Sequence, residues 1–305
     1  DSVASRGLGD VYKRQIELVR QFKRHGDSPQ HIPQVLEHYQ AVRAMDVVRL
    51  QNAAWNAMEW FEVCGERYCD QLAPEQFMYS MLTRSQRISH ENLRLRDQAW
   101  LEDYERWFAA QSQQSGVRPP MFTPFRLRSV TLKNRVVVSP MAQYSAPEGR
   151  VGDYHLVHLG ARAMGGAGLV MAEMTCPSPQ ARITPGCPGL WNDQQLQDWQ
   201  RIVTWVHAQT DAKIGLQLGH AGPKASTCAP WQGEGMDRPL PANNWPLMAA
   251  SEVPYLDDGP LPRAMTRADM DSVKQDFADA TQRAAQAGFD WLELHCCLLY
   301  TSPSP

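Results

Sequence analysis

The sequence predicts an α/β domain built on a parallel sheet and preceded by an all-helical segment. Two observations carry this prediction. Between about residues 125 and 295, strand-like apolar runs alternate with amphipathic helical patterns, and such alternation is typical of parallel strands covered by helices. Before a polar stretch at residues 111–120, every periodic pattern is helical. A closed barrel and an open doubly wound sheet both fit the alternation, so periodicity alone leaves that choice open.

The helical segment spans residues 16–110 and contains three predicted helices. The first follows a candidate N-cap at Ser28, and its apolar side is formed by Val35, Tyr39, Val42, Met45, Trp55, Met58 and Trp60. The second runs from Pro74 to Leu82. The third runs from Gln98 to Ala110, with Trp100, Tyr104 and Trp107 on one side. So many aromatic side chains on isolated helices indicate that the segment packs against another element. Residues 111–120 are polar and proline-containing, and we interpret them as a linker.

After the linker, strands and helices alternate. Phe125, Leu127, Val130 and Leu132 predict a hairpin, and strands are predicted at residues 135–139, 168–174, 213–218 and 290–295. Helices are predicted at residues 154–164 and 193–209, the latter with a core face of Leu196, Trp199, Ile202, Val203 and Val206. A last helix begins with a capping box at Thr266 and Asp269 and ends at Gly288; its predicted core face is Met270, Val273, Phe277, Ala280 and Ala284.

Both ends of the chain lack such patterns. Residues 1–15 show no sustained period, and residues 297–305 form an abrupt Ser/Pro-containing tail. Both strings resemble translated sequencing-adapter read-through, so we leave them out of the predicted fold. Ordinary disordered termini are the alternative.

Composition limits the classes of function. The chain has 305 residues, of which 43% are hydrophobic and 21% charged, and a formal net charge of −3. A balance this close to neutral gives no electrostatic reason to expect nucleic acid or a membrane surface as a partner. No apolar run approaches the roughly 20 residues that span a bilayer.

The cysteines point to a reducing compartment. Their number is seven, which is odd, and they are scattered along the chain with no C-x-x-C pair. This usage argues against a disulfide framework and a zinc site, and it predicts free thiols in a cytoplasmic protein without a bound metal.

Candidate functional residues follow the predicted strands. In parallel sheets, functional groups gather at the carboxyl ends of the strands. Here those positions are residues 139–144, 173–175, 217–220 and His295. They offer apolar surface, an amide, a phenol and imidazoles, but no serine nucleophile elbow, paired carboxylates or metal-ligand cluster. Such a set suits a planar, partly apolar ligand whose own ring carries the reaction. The alternative is that Gln217 and His295 are satisfied polar ends of structural strands.

Two glycine-containing stretches need separate interpretations. Residues 165–168 (GGAG) lie between a helix and the next strand, whereas a dinucleotide loop follows a strand and opens a helix. We therefore interpret them as a helix cap and turn. Residues 221–262 form a long Pro- and Gly-containing loop after the strand that ends near Gln217. This loop is expected to cover a substrate pocket or to be an inert insertion.

Six segments in residues 121–296 resemble the old yellow enzyme family of NADH:flavin oxidoreductases. They read FTPFRLRSVTLKN, RVVVSPMAQYS, HLVHLGARAMGGAGLVMAEMT, ARITPG, KIGLQLGHAG and AGFDWLELH. The resemblance implies the N-terminal half of a TIM (β/α)₈ barrel with FMN at the carboxyl ends of its strands and NAD(P)H as reductant. The residues that it implies for FMN binding are Ser139, Pro140, Met141, Ala142, Met174 and Gln217. Tyr144 and His295 would face a small-molecule substrate and act in catalysis.

The sequence departs from this family at several positions. Ala142 stands where several relatives have a cysteine that tunes the flavin. Leu298 stands where the family has a second histidine, and Tyr300 falls at the position of a family tyrosine. The later strands, with the arginine and the phosphate-binding loops that hold FMN, are expected to be missing. The resemblance therefore implies a truncated fragment with little or no activity alone.

Residues 74–97 and the following linker resemble a junction in fused enzymes that act on aromatic CoA thioesters. These enzymes are of the 2-aminobenzoyl-CoA monooxygenase/reductase and salicyloyl-CoA 5-hydroxylase type. The resemblance implies that residues 16–110 end an FAD monooxygenase domain and that the substrate is an aryl-CoA thioester. Two alternatives remain: a stand-alone enoate reductase with a helical extension, and a non-catalytic helical interaction module joined to a degenerate barrel. The acyl group, the choice of NADH or NADPH and the oligomeric state, homo-oligomer included, stay open.

Overall fold

The chain divides into two compact units, residues 1–107 and 108–305, and we describe each by itself. The structure is a computed structural model that describes residues 2–232 and 237–296. The predicted tail at residues 297–305, with Leu298 and Tyr300, lies outside the described residues.

The first unit is helical, as predicted. It contains α1 (Ser2–His25), α2 (Ile32–Arg67), α3 (Pro74–Thr83), α4 (His90–Arg96) and most of α5 (Gln98–Gln111). Ser28 does not cap the long helix α2; it precedes a 3₁₀ turn at Pro29–His31 and makes no side-chain capping bond. Helix α4 has no counterpart in the prediction. A reciprocal capping box between Ser89 and Asn92 starts it, and its seven residues are too few to show a hydrophobic period.

Residues 2–15 correct a prediction. The resemblance of residues 1–15 to adapter read-through and their lack of a sustained period predict no element there, yet residues 2–15 belong to α1. This segment contains no proline, and most of its residues are compatible with a helix. Such residues can extend a neighbouring helix without an amphipathic pattern, because helix continuation costs little once a nucleus exists.

Most of the predicted apolar side of α2 is exposed. Only Val35, Ala53 and Trp60 are buried in this helix, and the exposed set includes Val42, Met45, Trp55 and Met58. Trp60 is held because its indole N–H donates to Ser80 Oγ at 2.6 Å and its ring stacks on Tyr68. A second anchor is Glu105, fully buried in α5, whose Oε1 accepts hydrogen bonds from His90 and Arg94. The first unit therefore packs around α3 to α5 and leaves much of α2 uncovered.

The second unit confirms the predicted α/β class. In chain order it contains β1 (Phe125–Leu127), β2 (Val130–Leu132), β3 (Val137–Val138), α6 (Asp153–Met164), β4 (Leu169–Thr175), α7 (Asp193–Gln209), β5 (Lys213–Gly219), β6 (Met248–Ala249), β7 (Arg263–Ala264), α8 (Arg267–Ala287) and β8 (Trp291–His295). β1 and β2 form the predicted antiparallel hairpin. The main sheet has the order β3-β4-β5-β8, and all its pairs are parallel. Neighbours in the sheet follow in chain order, as they do in the first half of a (β/α)₈ barrel.

Capping signals place the long helices where the sequence predicts them. Asn192 Oδ1 accepts the N–H of Gln195 at the start of α7. Thr266 and Asp269 form the predicted capping box of α8, and Gly288 ends that helix with φ +91°, a conformation that favours glycine. Met270 corrects the predicted core face of α8, because its side chain is exposed. It lies in the first turn of α8, whereas the buried residues Ala280, Ala284 and Ala287 lie in the second half of the helix.

One face of the main sheet packs against the helices. Its core contains Val170, Ala172, Ile214, Leu216 and Leu218 from the strands and the α7 residues Trp199, Ile202, Val203 and Val206. We call the opposite side the inner face; it carries Met171, Gly215, Gln217, Glu293 and His295. At its amino end the inner face meets the hairpin, since Leu132 clusters with Leu169 and Met171. The functional candidates lie at the other end.

Candidate functional site

Three predicted site residues share the carboxyl end of the inner face. Met174 pairs with Gln217 across β4 and β5, and Gly219 pairs with His295 across β5 and β8. Gly219 marks how closely these strands meet: an added Cβ there would lie 2.7 Å from Met174 Cγ and 3.4 Å from His295 Cβ. The structure therefore brings Met174, Gln217 and His295 together around a position that has no side chain.

A β-bulge places Met174 on this face. Ala172 pairs with Leu216 and Met174 with Gln217, so Glu173 is an extra residue in β4. Residues two apart on a regular strand point to the same face, and Ala172 belongs to the helix-covered core. The inserted residue turns Met174 to the opposite face, because a bulge re-aims the side chains that follow it.

Gln217 is fixed by a neighbour that the sequence analysis did not single out. Its side chain is 8% exposed, and its Nε2 donates to Glu293 Oε1 at 2.5 Å. Glu293 lies directly opposite on β8. The bond orients the amide, and within the described residues no donor reaches its oxygen. The amide oxygen is thus an available acceptor beside Met174.

Residues 139–144 begin the loop between β3 and α6. Ser139, Met141 and Ala142 are exposed, and Pro140 is half-buried. Within the described residues, the main-chain N–H groups of Met141 and Ala142 donate no hydrogen bond. The loop is braced at its end, where Gln143 Nε2 donates to the Met141 carbonyl and Gln143 Oε1 accepts from Tyr154.

The bulged Glu173 ties this loop to the sheet. Its Oε2 accepts the N–H of Gln143 at 2.7 Å and lies 3.4 Å from the N–H of Tyr144. The side chain is buried, so these charge-assisted bonds compensate a carboxylate removed from water. Glu173 thereby couples the position of Tyr144 to the bulge that turns Met174.

A buried histidine supports the same carboxylate. His155, in the first turn of α6, is 1% exposed. Its Nδ1 lies 3.4 Å from the N–H of Gly152 and can only accept there. In the neutral ring the proton is then on Nε2, which lies 3.2 Å from Glu173 Oε1. The angle at this contact does not meet hydrogen-bond geometry, so we treat it as an electrostatic contact.

Tyr144 has an unusual main chain and a protonated side chain. Its φ is +49°, in the left-handed region that non-glycine residues rarely adopt. Gly186 makes this possible, because an added Cβ at that residue would lie 2.2 Å from the Tyr144 carbonyl oxygen. Burial, followed by the nearby Cys187, raises the pKa of the Tyr144 phenol far above its usual value. The hydroxyl therefore remains a hydrogen-bond donor at any physiological pH.

The loop at residues 221–262 lies beside Tyr144. Trp231 packs on the Tyr144 ring with centroids 6.0 Å apart. Asp237 connects two parts of the loop, since it forms an ion pair with Lys224 at 2.9 Å and accepts a hydrogen bond from Tyr255 at 2.9 Å. A cavity of about 1180 Å³ opens here, lined by residues that include Glu148, Arg182, Arg238 and Trp245. Contact with Tyr144 favours a covering role over an inert insertion.

The structure does not bring every predicted residue together. Within the described residues, no hydrogen bond or ring contact joins the Tyr144 side chain to the His295 side chain. Glu173, His155, Glu293 and Gly186 were not assigned roles from sequence. Glu173 carried a signal, because it is the one charged residue in the apolar run LVMAEMT. The interpretation of residues 165–168 as a cap and turn is confirmed, with Gly165 at the end of α6 and Gly166 at φ +101°.

The carboxyl end of the inner face carries groups that suit a planar ligand. Gly219 leaves room for the Met174 side chain there, since a Cβ at Gly219 would lie 2.7 Å from Met174 Cγ. Gln217 offers an amide oxygen, and the N–H groups of Met141 and Ala142 are available for ligand contacts. Within the described residues, no three His, Cys, Asp or Glu side chains form a group that could hold a metal ion. None of the described helices has the length and apolar character of a membrane span.

The chain is similar in sequence to known flavin oxidoreductases. The sequence profile described as the NADH:flavin oxidoreductase / NADH oxidase family matches residues 120–300. An NADH:flavin oxidoreductase of Gibberella zeae is 41% identical over 202 residues, covering 64% of this chain and 48% of the relative. An NADPH dehydrogenase of Bacillus cytotoxicus is 37% identical over 177 residues, covering 57% and 46%. The chain spans about half the length of the curated relatives it matches.

Solved structures similar to this chain include morphinone reductase and the Old Yellow Enzyme from a Pichia species. Morphinone reductase is 31% identical with a TM-score of 0.48, covering 58% of this chain and 47% of that one. The Pichia enzyme is 27% identical with a TM-score of 0.49, covering 57% and 45%.

Proposed function

This chain belongs to the NADH:flavin oxidoreductase / NADH oxidase family, and on that premise we propose that residues 121–296 supply the flavin-ring side of an FMN-dependent oxidoreductase. The reductant is NADH or NADPH, and the substrate is a small molecule with an activated C=C bond. One observation carries the proposal: Met174, Gln217 and His295 meet on the inner face at the carboxyl end of the sheet.

The chain's own residues would divide the cofactor contacts among them. We assign one side of the flavin ring to the main chain at Ser139, Pro140, Met141 and Ala142. Met174 would lie beside the ring, and the Gln217 amide would lie at its pyrimidine edge. Glu293 orients that amide through the 2.5 Å bond. FMN, when bound, supplies the hydride chemistry, and the residues bind and orient it.

Tyr144 and His295 are proposed to act on the substrate. A carbonyl oxygen that receives hydrogen bonds becomes a better electron sink, which favours hydride arrival at the conjugated carbon. The raised pKa of Tyr144 suits a donor, because the phenol keeps its proton. Glu173 positions Tyr144 by accepting the N–H of Gln143 at 2.7 Å.

For the substrate class we propose an aryl-CoA thioester. The support is the resemblance of residues 74–97 to fused monooxygenase/reductase enzymes, together with the exposed aromatic residues of α2 such as Trp55 and Phe61. In such a protein an FAD domain upstream would hydroxylate the ring, and the FMN site would reduce the product. We place this bifunctional enzyme in the cytoplasm.

Because the chain spans about half the length of its relatives, we also propose that it binds FMN weakly by itself. Equilibrium dialysis with FMN tests both parts. The Gln217→Ala variant removes one hydrogen-bonding group, worth about 0.5–1.5 kcal/mol, so its affinity should fall roughly 2- to 12-fold. The matched control is Gln194→Ala, on the exposed side of α7.

The outcomes separate the two claims. Tight stoichiometric FMN binding by the wild-type chain would refute weak binding but leave the site assignment standing. Equal FMN affinities for wild type and Gln217→Ala would refute the site assignment. For the substrate, dialysis with benzoyl-CoA against benzoate and free CoA should show retention of the thioester alone. Equal retention of free CoA would contradict an acyl-specific site.

A further inference from the structure

Two cysteine thiols meet where α2 ends, in the unit that the proposed flavin site does not use. Cys64 lies in the last turn of α2, and Cys69 follows five residues later. Their sulfur atoms are 3.5 Å apart and share a hydrogen bond. Cys64 is half-buried and Cys69 is exposed. The pair therefore combines close sulfur atoms with access from solvent.

The main chain fixes this approach. The Cys64 carbonyl accepts the N–H groups of both Tyr68 and Cys69 at 3.0 Å, so the chain makes one wide turn that returns Cys69 to Cys64. Tyr68 is anchored because its ring stacks on buried Trp60 at 5.6 Å. The next bond, from the N–H of Leu72 to the Tyr68 carbonyl, continues the ordered turn. The two sulfur atoms thus need only a small movement to bond.

We propose that Cys64 and Cys69 form a dithiol site that hydroperoxides oxidise to an intramolecular disulfide and that trivalent arsenicals bridge. This inference is independent of the proposed flavin function. Disulfide geometry requires Cα atoms roughly 4.4–6.8 Å apart, a separation that a hydrogen bond between the N–H of Cys69 and the Cys64 carbonyl can provide. It goes beyond the expectation from composition, which treats all the cysteines as unrelated free thiols.

The order of steps follows from exposure. Burial and the hydrogen bond to Cys69 raise the pKa of the Cys64 thiol, so the exposed Cys69 meets the oxidant first. Its sulfur takes one oxygen atom from hydrogen peroxide and becomes a sulfenic acid, while the peroxide leaves as water. Cys64 sulfur then bonds to Cys69 sulfur and expels that oxygen as a second water. In total, two thiols and one peroxide give one disulfide and two waters.

The sequence makes the test direct. Arg67 lies between the two cysteines, so trypsin separates them into peptides 50–67 and 68–84, each with a single cysteine. The full chain is treated with hydrogen peroxide, alkylated and digested without reductant. We expect the two peptides to appear as one linked species lacking two hydrogens, with the loss of both Cys64 and Cys69 from the alkylated pool.

Variants keep the test specific. Cys64→Ser and Cys69→Ser should each abolish the linked species, and Cys64→Ser should leave a sulfenic acid on Cys69 that dimedone labels. Cys228→Ser, which changes a buried thiol in the second unit, should leave the linkage intact. Circular dichroism checks that each variant keeps its helices.

A second probe tests whether the two thiols lie close together without oxidising them. Phenylarsine oxide should protect both Cys64 and Cys69 from alkylation in the reduced chain, and ethanedithiol should reverse this protection. If peroxide instead carries Cys69 to a sulfinic or sulfonic acid with no linked peptide, the proposal is wrong. Protection of neither thiol by phenylarsine oxide would also contradict it.

Discussion

Replacing Glu173 with alanine should loosen the loop that carries Tyr144. The carboxylate accepts the N–H of Gln143 at 2.7 Å inside the protein, and a hydrogen bond to a charged group contributes about 1.5–3 kcal/mol. The 3.4 Å contact with the N–H of Tyr144 is too long to add much. The free energy of opening the loop at Gln143 should therefore fall by about 1.5–3 kcal/mol, which is roughly a 10- to 150-fold change in the open population.

Amide hydrogen exchange of Gln143 measures this population directly. We expect exchange in Glu173→Ala to be roughly 10- to 150-fold faster than in the wild type. Thr175→Ser is the matched control, since it trims another buried side chain of β4 whose hydroxyl donates to the Glu173 carbonyl and not to the loop. Urea unfolding of both variants separates local loosening from a global loss of stability. Equal exchange rates at Gln143 in Glu173→Ala and Thr175→Ser would refute the role given to Glu173.

Two further predictions test separate parts of the fold. Gly186→Ala should destabilise the second unit by about 1–3 kcal/mol in urea unfolding, because its Cβ would lie 2.2 Å from the Tyr144 carbonyl oxygen. The control Gly152→Ala, where a Cβ meets nothing within 4 Å, should lower the free energy of unfolding far less. Similar losses for the two variants would contradict the close approach of Gly186 to Tyr144. Hydrogen bonds from Arg263 hold the pKa of Asp269 well below its usual range, so the stability that this carboxylate contributes is present above the ordinary Asp pKa and is lost as the pH falls through the lowered one. The difference in thermal midpoint between wild type and Asp269→Asn should thus shrink below about pH 4, and a difference that does not change with pH would show that the ion pair adds nothing.

The elements that the sequence predicts best are helices with both a repeating apolar face and capping residues at their ends. The repeating apolar face predicts α7 at residues 193–209, where the structure adds an Asn192 cap, and a capping box with Gly288 predicts both ends of α8. By contrast, the first fifteen residues show no sustained period in the sequence, and residues 2–15 nonetheless belong to α1. Trp55 has the spacing of a core residue but is exposed, because a helical period shows which side is apolar and not what covers it.

The residue types of the candidate site could be predicted from the sequence, but the contacts between those residues could not. Gln217 and His295 stand at strand ends, so the parallel-sheet rule finds them. The bulge at Glu173 depends on how β4 pairs with β5, and a pairing register between distant segments leaves no local pattern. The same holds for Glu293, which faces Gln217 only through the pairing of β5 with β8, and for Gly186, whose need to be glycine comes from the Tyr144 main chain.

The central claim is that FMN binds at the carboxyl end of the inner face, and methyl NMR of the methionines tests it even if binding is weak. Met141 and Met174 belong to the proposed site. Met171 lies on the same strand as Met174 but clusters with Leu132 at the amino end of the inner face, and Met78 lies in the first unit. With methyl-labelled methionine and FMN added at millimolar concentration, we expect the Met141 and Met174 resonances to shift while those of Met171 and Met78 stay in place. Shifts of Met171 or Met78 without Met174, or no shift at any methionine, would contradict it.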